Sequence, residues 1–345
     1  MRARRSRLVC SLALFGMVGC SDEGDVAGRI EGADTVWATI SPEPLLHLGA
    51  DQSNPAEQFH RIVGVTRLSD GVVVVADGSQ RIRFFAPTGQ LLQEVGGQGA
   101  GPGEFEALAM LQRDARGDLV TWDPALGRIT TLSDAGAVMH SARVVPDPGF
   151  PPLLVPDGVF WDGSLLAMAG PPIDREFEDG RWAAITLLQL GKDGGVRGSL
   201  GEFRLQPCRP GEQNCGRYYR SFRAAWAAGE DHVYYSRPDR AEITVYDLEG
   251  HQLGQLEGPG LGKEAEGSVP AYSELLVDTA GNVWAKAGDA SGWWFVFDSR
   301  QYVGRVQLPP DLDVKQIGPG FVLGVQKDEL DVEHVKAYQL RVAGA

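Results

Sequence analysis

The sequence predicts an all-β chain folded as a six-bladed β-propeller, and three observations carry that expectation. Short apolar or β-branched runs alternate with Gly, Asp and Pro turns along most of the 345 residues. One four-strand phrase recurs with a period in the forties, Gly71 to Gly117 being 46 residues and Gly89 to Gly136 being 47. Forty-five Gly and 21 Pro supply the turns that many short strands need. A unit of this size cannot bury both faces of its sheet alone, so copies must stack around an axis.

Before the repeats comes an export signal. Arg2, Arg4, Arg5 and Arg7 form a basic start, Leu8 to Gly19 an apolar stretch, and acids begin only at Asp22. Such a stretch is too short for a permanent bilayer span. It ends in Met17-Val18-Gly19-Cys20, which resembles a bacterial lipobox and implies lipidation of Cys20. An ordinary cleaved signal with an incidental cysteine, or an uncleaved anchor, are the competing readings. The predicted division is residues 1–19 as a lipoprotein signal peptide, 20–34 as an acidic linker and 35–345 as the propeller.

Blade 1 is read from Gly64 to Val95 and blade 2 from Leu108 to Val138 onward, both complete. Blade 3 has Trp161 to Ala169, a long insertion over 170–181, and Trp182 to Gly194. Blade 4 has Trp226 to Ser236 and Glu242 to Gly250, and blade 5 Leu275 to Lys286 and Trp293 to Asp298. A sixth unit, Val314 to Val342, lacks its closing strand. Val36 to Ser41, with Leu45 to Leu48 after it, is expected to supply that strand and join the chain ends.

The Gly-rich stretch from Gly96 to Phe105, ending Pro-Gly-Glu-Phe, resembles the connections between blades of NHL-repeat propellers. Ala76-Asp77 to Arg81-Ile82 and Trp122-Asp123 to Arg128-Ile129 are similar to the same family's Ala-Asp to Arg-Ile phrase. The resemblance is specific over 60–140, fair over 226–250 and 275–298, and poor over 141–222. No Lys-Ser/Thr follows the Gly-rich run, so a phosphate-binding loop is not expected.

Charge narrows the partners. The formal net charge is −14, and removal of residues 1–19 takes four arginines and no acid, leaving 28 basic against 46 acidic side chains and −18. So acidic a surface repels phosphate backbones and anionic membranes, which excludes nucleic acid and leaves lipid as the only membrane attachment. The expected location is the cell envelope, with Ser21 in place of Asp permitting the outer membrane, facing the periplasm or the exterior.

Four loops depart from the repeat: 170–181, 203–222, 256–270 and 286–293. Propeller topology puts them on one end of the channel, where loops carry function on a rigid scaffold. Within 203–222, Cys208 and Cys215 sit seven apart in a polar turn-rich segment and are expected to form a disulfide. Arg204, Arg209, Arg217, Tyr218, Tyr219, Arg220 and Arg223 concentrate guanidinium and phenol groups in an acidic protein. Such residues suit acidic or sugar-like ligands and protein interfaces. Alternatively the aromatics pack beneath a pinned loop while the arginines pair with neighbouring acids. Trp182 and Trp293 lie at loop ends in the same layer and complete the ligand-binding candidates.

No catalytic residue and no metal ligand set is expected, and no cofactor. Asp77 and Asp123 recur at matching positions, as turn-closing groups do and catalytic groups do not. The six histidines, at 47, 60, 140, 232, 251 and 334, are scattered, and Asn54, Asn214 and Asn282 do not converge. The favoured function is therefore a non-catalytic binding propeller for a partner protein, peptide or carbohydrate. The alternatives are a metal-dependent, lactonase-like hydrolase or lyase, as among six-bladed relatives, and a structural subunit of an envelope complex.

Overall fold

The computed structural model describes residues 35–51, 53–145, 147–149, 153–170, 183–207, 222–223, 225–237, 240–259 and 271–343. The chain forms six antiparallel blades in a ring, a six-bladed β-propeller. Among the described residues the one helical turn is Pro55–Glu57, and no helix is long and apolar enough to cross a membrane.

Two short strands come first, β1 (Ala38–Ile40) and β2 (Leu46–Leu48). Blade 1 is β3 (Ile62–Arg67), β4 (Val73–Asp77), β5 (Arg81–Phe85) and β6 (Leu91–Gly96). Blade 2 is β7 (Met110–Arg113), β8 (Leu119–Asp123), β9 (Arg128–Leu132) and β10 (Val138–Arg143). Blade 3 is β11 (Leu153–Val159), β12 (Leu165–Gly170), β13 (Ala183–Leu190) and β14 (Val196–Pro207), with β15 (Phe222–Arg223) on the edge of β14.

Blade 4 is β16 (Ala225–Ala228), β17 (His232–Ser236), β18 (Glu242–Asp247) and β19 (Gln252–Glu257). Blade 5 is β20 (Tyr272–Val277), β21 (Val283–Ala287), β22 (Trp293–Phe297) and β23 (Tyr302–Gln307). Blade 6 is β24 (Asp313–Gly318), β25 (Phe321–Lys327) and β26 (Glu333–Val342), completed by β1 and β2.

The middle strands show why the sheets stack. Val73, Val74, Val75 and Ala76 are all buried, so β4 is covered on both faces by neighbouring blades. Among the described residues the core divides into clusters lying in the gaps between blades, one per gap. Leu111 and Phe105 join Val74 and Phe84 between blades 1 and 2, for instance, while Trp284 and Trp294 join Val314 and Val322 between blades 5 and 6. Each fully buried Val, Leu or Phe contributes roughly 1.5–3 kcal/mol.

Ring closure follows the sequence expectation. Ala38 pairs with Val342 and Leu46 with Ala337, so the N-terminal strands complete the C-terminal blade. Leu46 and Leu48 then enter the cluster between blades 6 and 1, beside Val73, Phe85 and Leu323. Across the same gap the Gln316 side chain accepts from Arg67 N at 2.6 Å and Thr66 Oγ1 at 3.1 Å. The N-terminal segment also reaches blade 5: Arg305 N donates to Thr35 O and Trp37 N to Arg305 O, each at 2.9 Å. Gly304 makes that approach possible, because at φ 150° its Cβ would lie 2.8 Å from Trp37 Cβ.

The Gly-rich connection is packed against the ring. Gly97 N donates to Gln80 O at 2.8 Å, Phe105 N to Gly97 O at 2.8 Å, and Arg128 donates to the carbonyls of Ala100 and Glu104. Leu108 N donates to Gln80 Oε1, tying this connection to the β4–β5 turn. That bond fixes which connections share an end of the ring. Those between second and third strands lie with those between blades, which is where the four unusual loops begin and end.

Candidate functional site

At the loop-bearing end, buried carboxylates hold the scaffold. Asp77 belongs to the scaffold: its buried carboxylate accepts from His60 N at 2.9 Å, Ser79 N at 3.1 Å and Arg83 Nη1 at 3.1 Å. Asp123 does the same in blade 2, accepting from Glu106 N, Ala107 N and Leu126 N at 2.7–3.1 Å. Each pins the segment entering its own first strand to the turn between its second and third strands. Arg81 pairs with Glu94 on the neighbouring strand, which is also structural.

The inner strands present a different group. Between Pro156 and Gly158 the ladder of β11 slips by one residue, so Asp157 is the extra residue of a β-bulge. A bulge turns a side chain out of its regular alternation, and bulges concentrate beside functional sites. Asp157 Oδ2 accepts the indole proton of Trp226 on β16 at 2.7 Å, an exposed bond linking the inner strands of blades 3 and 4. On β20, the next inner strand, Glu274 stands opposite Lys286 in the ladder. The inner edge of blades 3 to 5 thus carries two carboxylates and an indole.

Of the sequence-derived ligand candidates, Arg209, Arg217, Tyr218, Tyr219, Arg220 and Trp182 lie outside the described residues, as do Cys20, Cys208 and Cys215. Arg204 lies on β14 and Arg223 on β15, with Arg223 paired to Gln206. Here the structure differs from the expected loop over 203–222. The outer strand runs on to Pro207 because Phe222–Arg223 returns to pair with its edge, so both arginines stand on neighbouring strands. The chain then enters β16 within two residues of Arg223, so Arg223 stands three residues before Trp226.

Trp293 opens β22 at the loop-bearing end. It is half-buried, packs in the gap between blades 4 and 5, and lies under the guanidinium of Arg305 at 4.2 Å. Its neighbour Trp294 is fully buried in the core.

Sequence reasoning missed two relationships. The Asp157–Trp226 bond joins residues 69 apart, and its signal, a bulge within a strand, has no sequence signature. The other is a histidine pair at the ring closure. His47 faces Lys336 across the β2–β26 ladder, which makes His334 its diagonal neighbour. His47 Nε2 lies 3.2 Å from His334 Nδ1, and Asp328 Oδ2 lies 3.4 Å from His334 Nε2. This proximity follows from the closure register, once the N-terminal strand is placed against the last one. Burial, Lys336 and His334 together hold the His47 imidazole below its ordinary range.

No family model matches the chain, and no curated protein matches it. Among solved structures, a member of the DUF4221 family from Bacteroides vulgatus is similar over 89% of this chain and 99% of its own, with a TM-score of 0.55 at 11% identity. An exported protein from Bacteroides fragilis aligns over 90% and 96% of the two chains, with a TM-score of 0.48 at 10% identity. Virginiamycin B lyase from Staphylococcus aureus aligns over 85% and 87%, with a TM-score of 0.40 at 10% identity. At these identities the likeness is one of fold.

Proposed function

We propose that the chain is an envelope-anchored, non-catalytic binding propeller of the NHL-repeat kind. It holds a partner protein, peptide or glycan at the loop-bearing end of blades 3 to 5. The observation that supports this reading is the junction at β15–β16. There the Arg- and Tyr-rich segment from Arg204 to Arg223 runs directly into the strand that carries Trp226, beside the exposed carboxylate of Asp157. Guanidinium and indole groups recognise acidic or hydroxyl-bearing ligands through planar hydrogen bonding and stacking. In this reading Cys20 carries the lipid, a Cys208–Cys215 disulfide constrains the segment, and Trp182 and Trp293 form the rim.

Isothermal titration of the full chain in detergent against panels of acidic peptides and oligosaccharides tests it. Saturable binding that weakens with salt and is lost in Arg217→Ala and Arg220→Ala supports the reading. Calcium- or zinc-dependent turnover of lactones would replace it with the hydrolase reading. No binding of any panel member, with an apolar patch that drives self-association, would favour a structural subunit.

A further inference from the structure

The two imidazoles at the ring closure have the geometry of a metal-binding pair. Two nitrogens bound to zinc at ~2.05 Å with a tetrahedral angle stand about 3.3 Å apart, and their ring centres about 5 Å apart. In this chain His47 Nε2 and His334 Nδ1 are 3.2 Å apart and the ring centres 5.1 Å apart, with the planes inclined at 56°.

Asp328 Oδ2 lies 3.4 Å from His334 Nε2, and in the tautomer that donates this proton the lone pair of His334 Nδ1 faces His47. A histidine that donates one ring N–H to a carboxylate while the other nitrogen faces a cation is the usual support of a metal ligand. His47 is exposed, so a cation can reach its ring from solvent. The nearby cation Lys336 is engaged elsewhere, donating to Gln326 Oε1 at 2.6 Å. The Glu57 carboxylate, which lies close to His47, accepts from Gly49 N at 2.8 Å and Asn54 Nδ2 at 3.0 Å.

We propose that His47 and His334 form a two-imidazole site for a borderline divalent transition-metal ion such as zinc, stapling β2 to β26 and locking the ring. Among the described residues no group of three or more His, Cys, Asp or Glu converges, so water completes the coordination shell and binding is reversible. The site bridges β2 and β26 on the outer side of blade 6, away from the axis, and is independent of the ligand reading for blades 3 to 5. Because the metal binds the closed ring and not the open chain, it raises thermal stability.

The test uses the full chain in detergent, stripped with EDTA, melted with and without excess zinc chloride or nickel chloride, and titrated calorimetrically with zinc. Magnesium chloride is the hard-cation control. The expected result is a melting temperature raised by zinc and nickel but not by magnesium, with zinc affinity falling at least about tenfold in His47→Gln and unchanged in His60→Ala. His47 is exposed, so His47→Gln leaves the core intact, and its own melting temperature without metal confirms folding. Equal zinc affinity in wild type and His47→Gln, or no rise in melting temperature with zinc, overturns the proposal.

Discussion

Trp226 and Asp157 are joined by a hydrogen bond of 2.7 Å that crosses from the inner strand of blade 4 to that of blade 3. The bond exists because β11 carries a bulge at Asp157, which sends the carboxylate out of the ladder towards the indole. Trp226 also packs against the cluster between these blades. Trp226→Phe keeps that packing and removes the donor, so it costs about 1 kcal/mol. Trp226→Ala removes both and costs about 2–3 kcal/mol for this half-buried ring. Urea unfolding of the two variants separates the contributions; a Trp226→Phe protein as stable as wild type would show that the bond adds nothing.

A larger loss is expected at Asp77. Its carboxylate is fully buried, pairs with the buried guanidinium of Arg83, and accepts two backbone N–H groups. Asp77→Ala leaves Glu94 as the one carboxylate paired with Arg83 and strands the N–H groups, and costs about 3–5 kcal/mol. Asp123→Ala, which strands three backbone donors but no buried charge, costs less, about 2–3 kcal/mol. The same denaturation series checks the order.

Acid should loosen the contact between blades 2 and 3. Burial alone would push the Asp114 carboxyl up. Lys192 Nζ at 2.8 Å and the N–H groups of Asp118 and Arg116 outweigh that and hold it below the usual carboxylate range. A carboxyl depressed in the folded state contributes stability that is present above the unfolded value of about 3.9 and lost as pH falls through the folded value. Wild type therefore loses stability from roughly pH 5 downward, and Lys192→Met, which removes the strongest hold, shows a shallower acid dependence over that range. Stability profiles of the two proteins that run parallel in acid would contradict this.

The closure predicts a sensitivity far from the C-terminal blade in sequence. Leu48 is fully buried between blades 6 and 1, so Leu48→Ala costs about 2–4 kcal/mol. Gly304→Ala drives a methyl into Trp37 and Thr35 and should detach the N-terminal segment from blade 5, which limited proteolysis near residue 35 reports.

Most of the architecture was legible in the chain, because blades repeat. Turn glycines such as Gly71 and Gly117, and the apolar run Val72 to Ala76, mark strands without reference to distant contacts. The lone segment Val36 to Leu48 found its place because blade 6 lacked a strand. Relationships that depend on register were less visible. His47 meets His334 only through the closure, Asp157 meets Trp226 only through a bulge, and the extension of β14 to Pro207 depends on a strand that returns from 15 residues later. Long-range pairing of this kind has no local signal, since the propensities of Arg204 and Arg223 suit loop and edge strand alike.

The most direct test of the central claim compares ligand binding at the two ends of the ring. A peptide or oligosaccharide that binds the full chain is titrated against Arg220→Ala and Arg223→Ala, and against Arg300→Ala in the exposed β22–β23 turn at the opposite end. The account predicts affinity at least about tenfold weaker in the first two, a loss of ~1.4 kcal/mol or more, and unchanged in Arg300→Ala. Binding that survives both substitutions near Trp226 but falls with Arg300→Ala would contradict it.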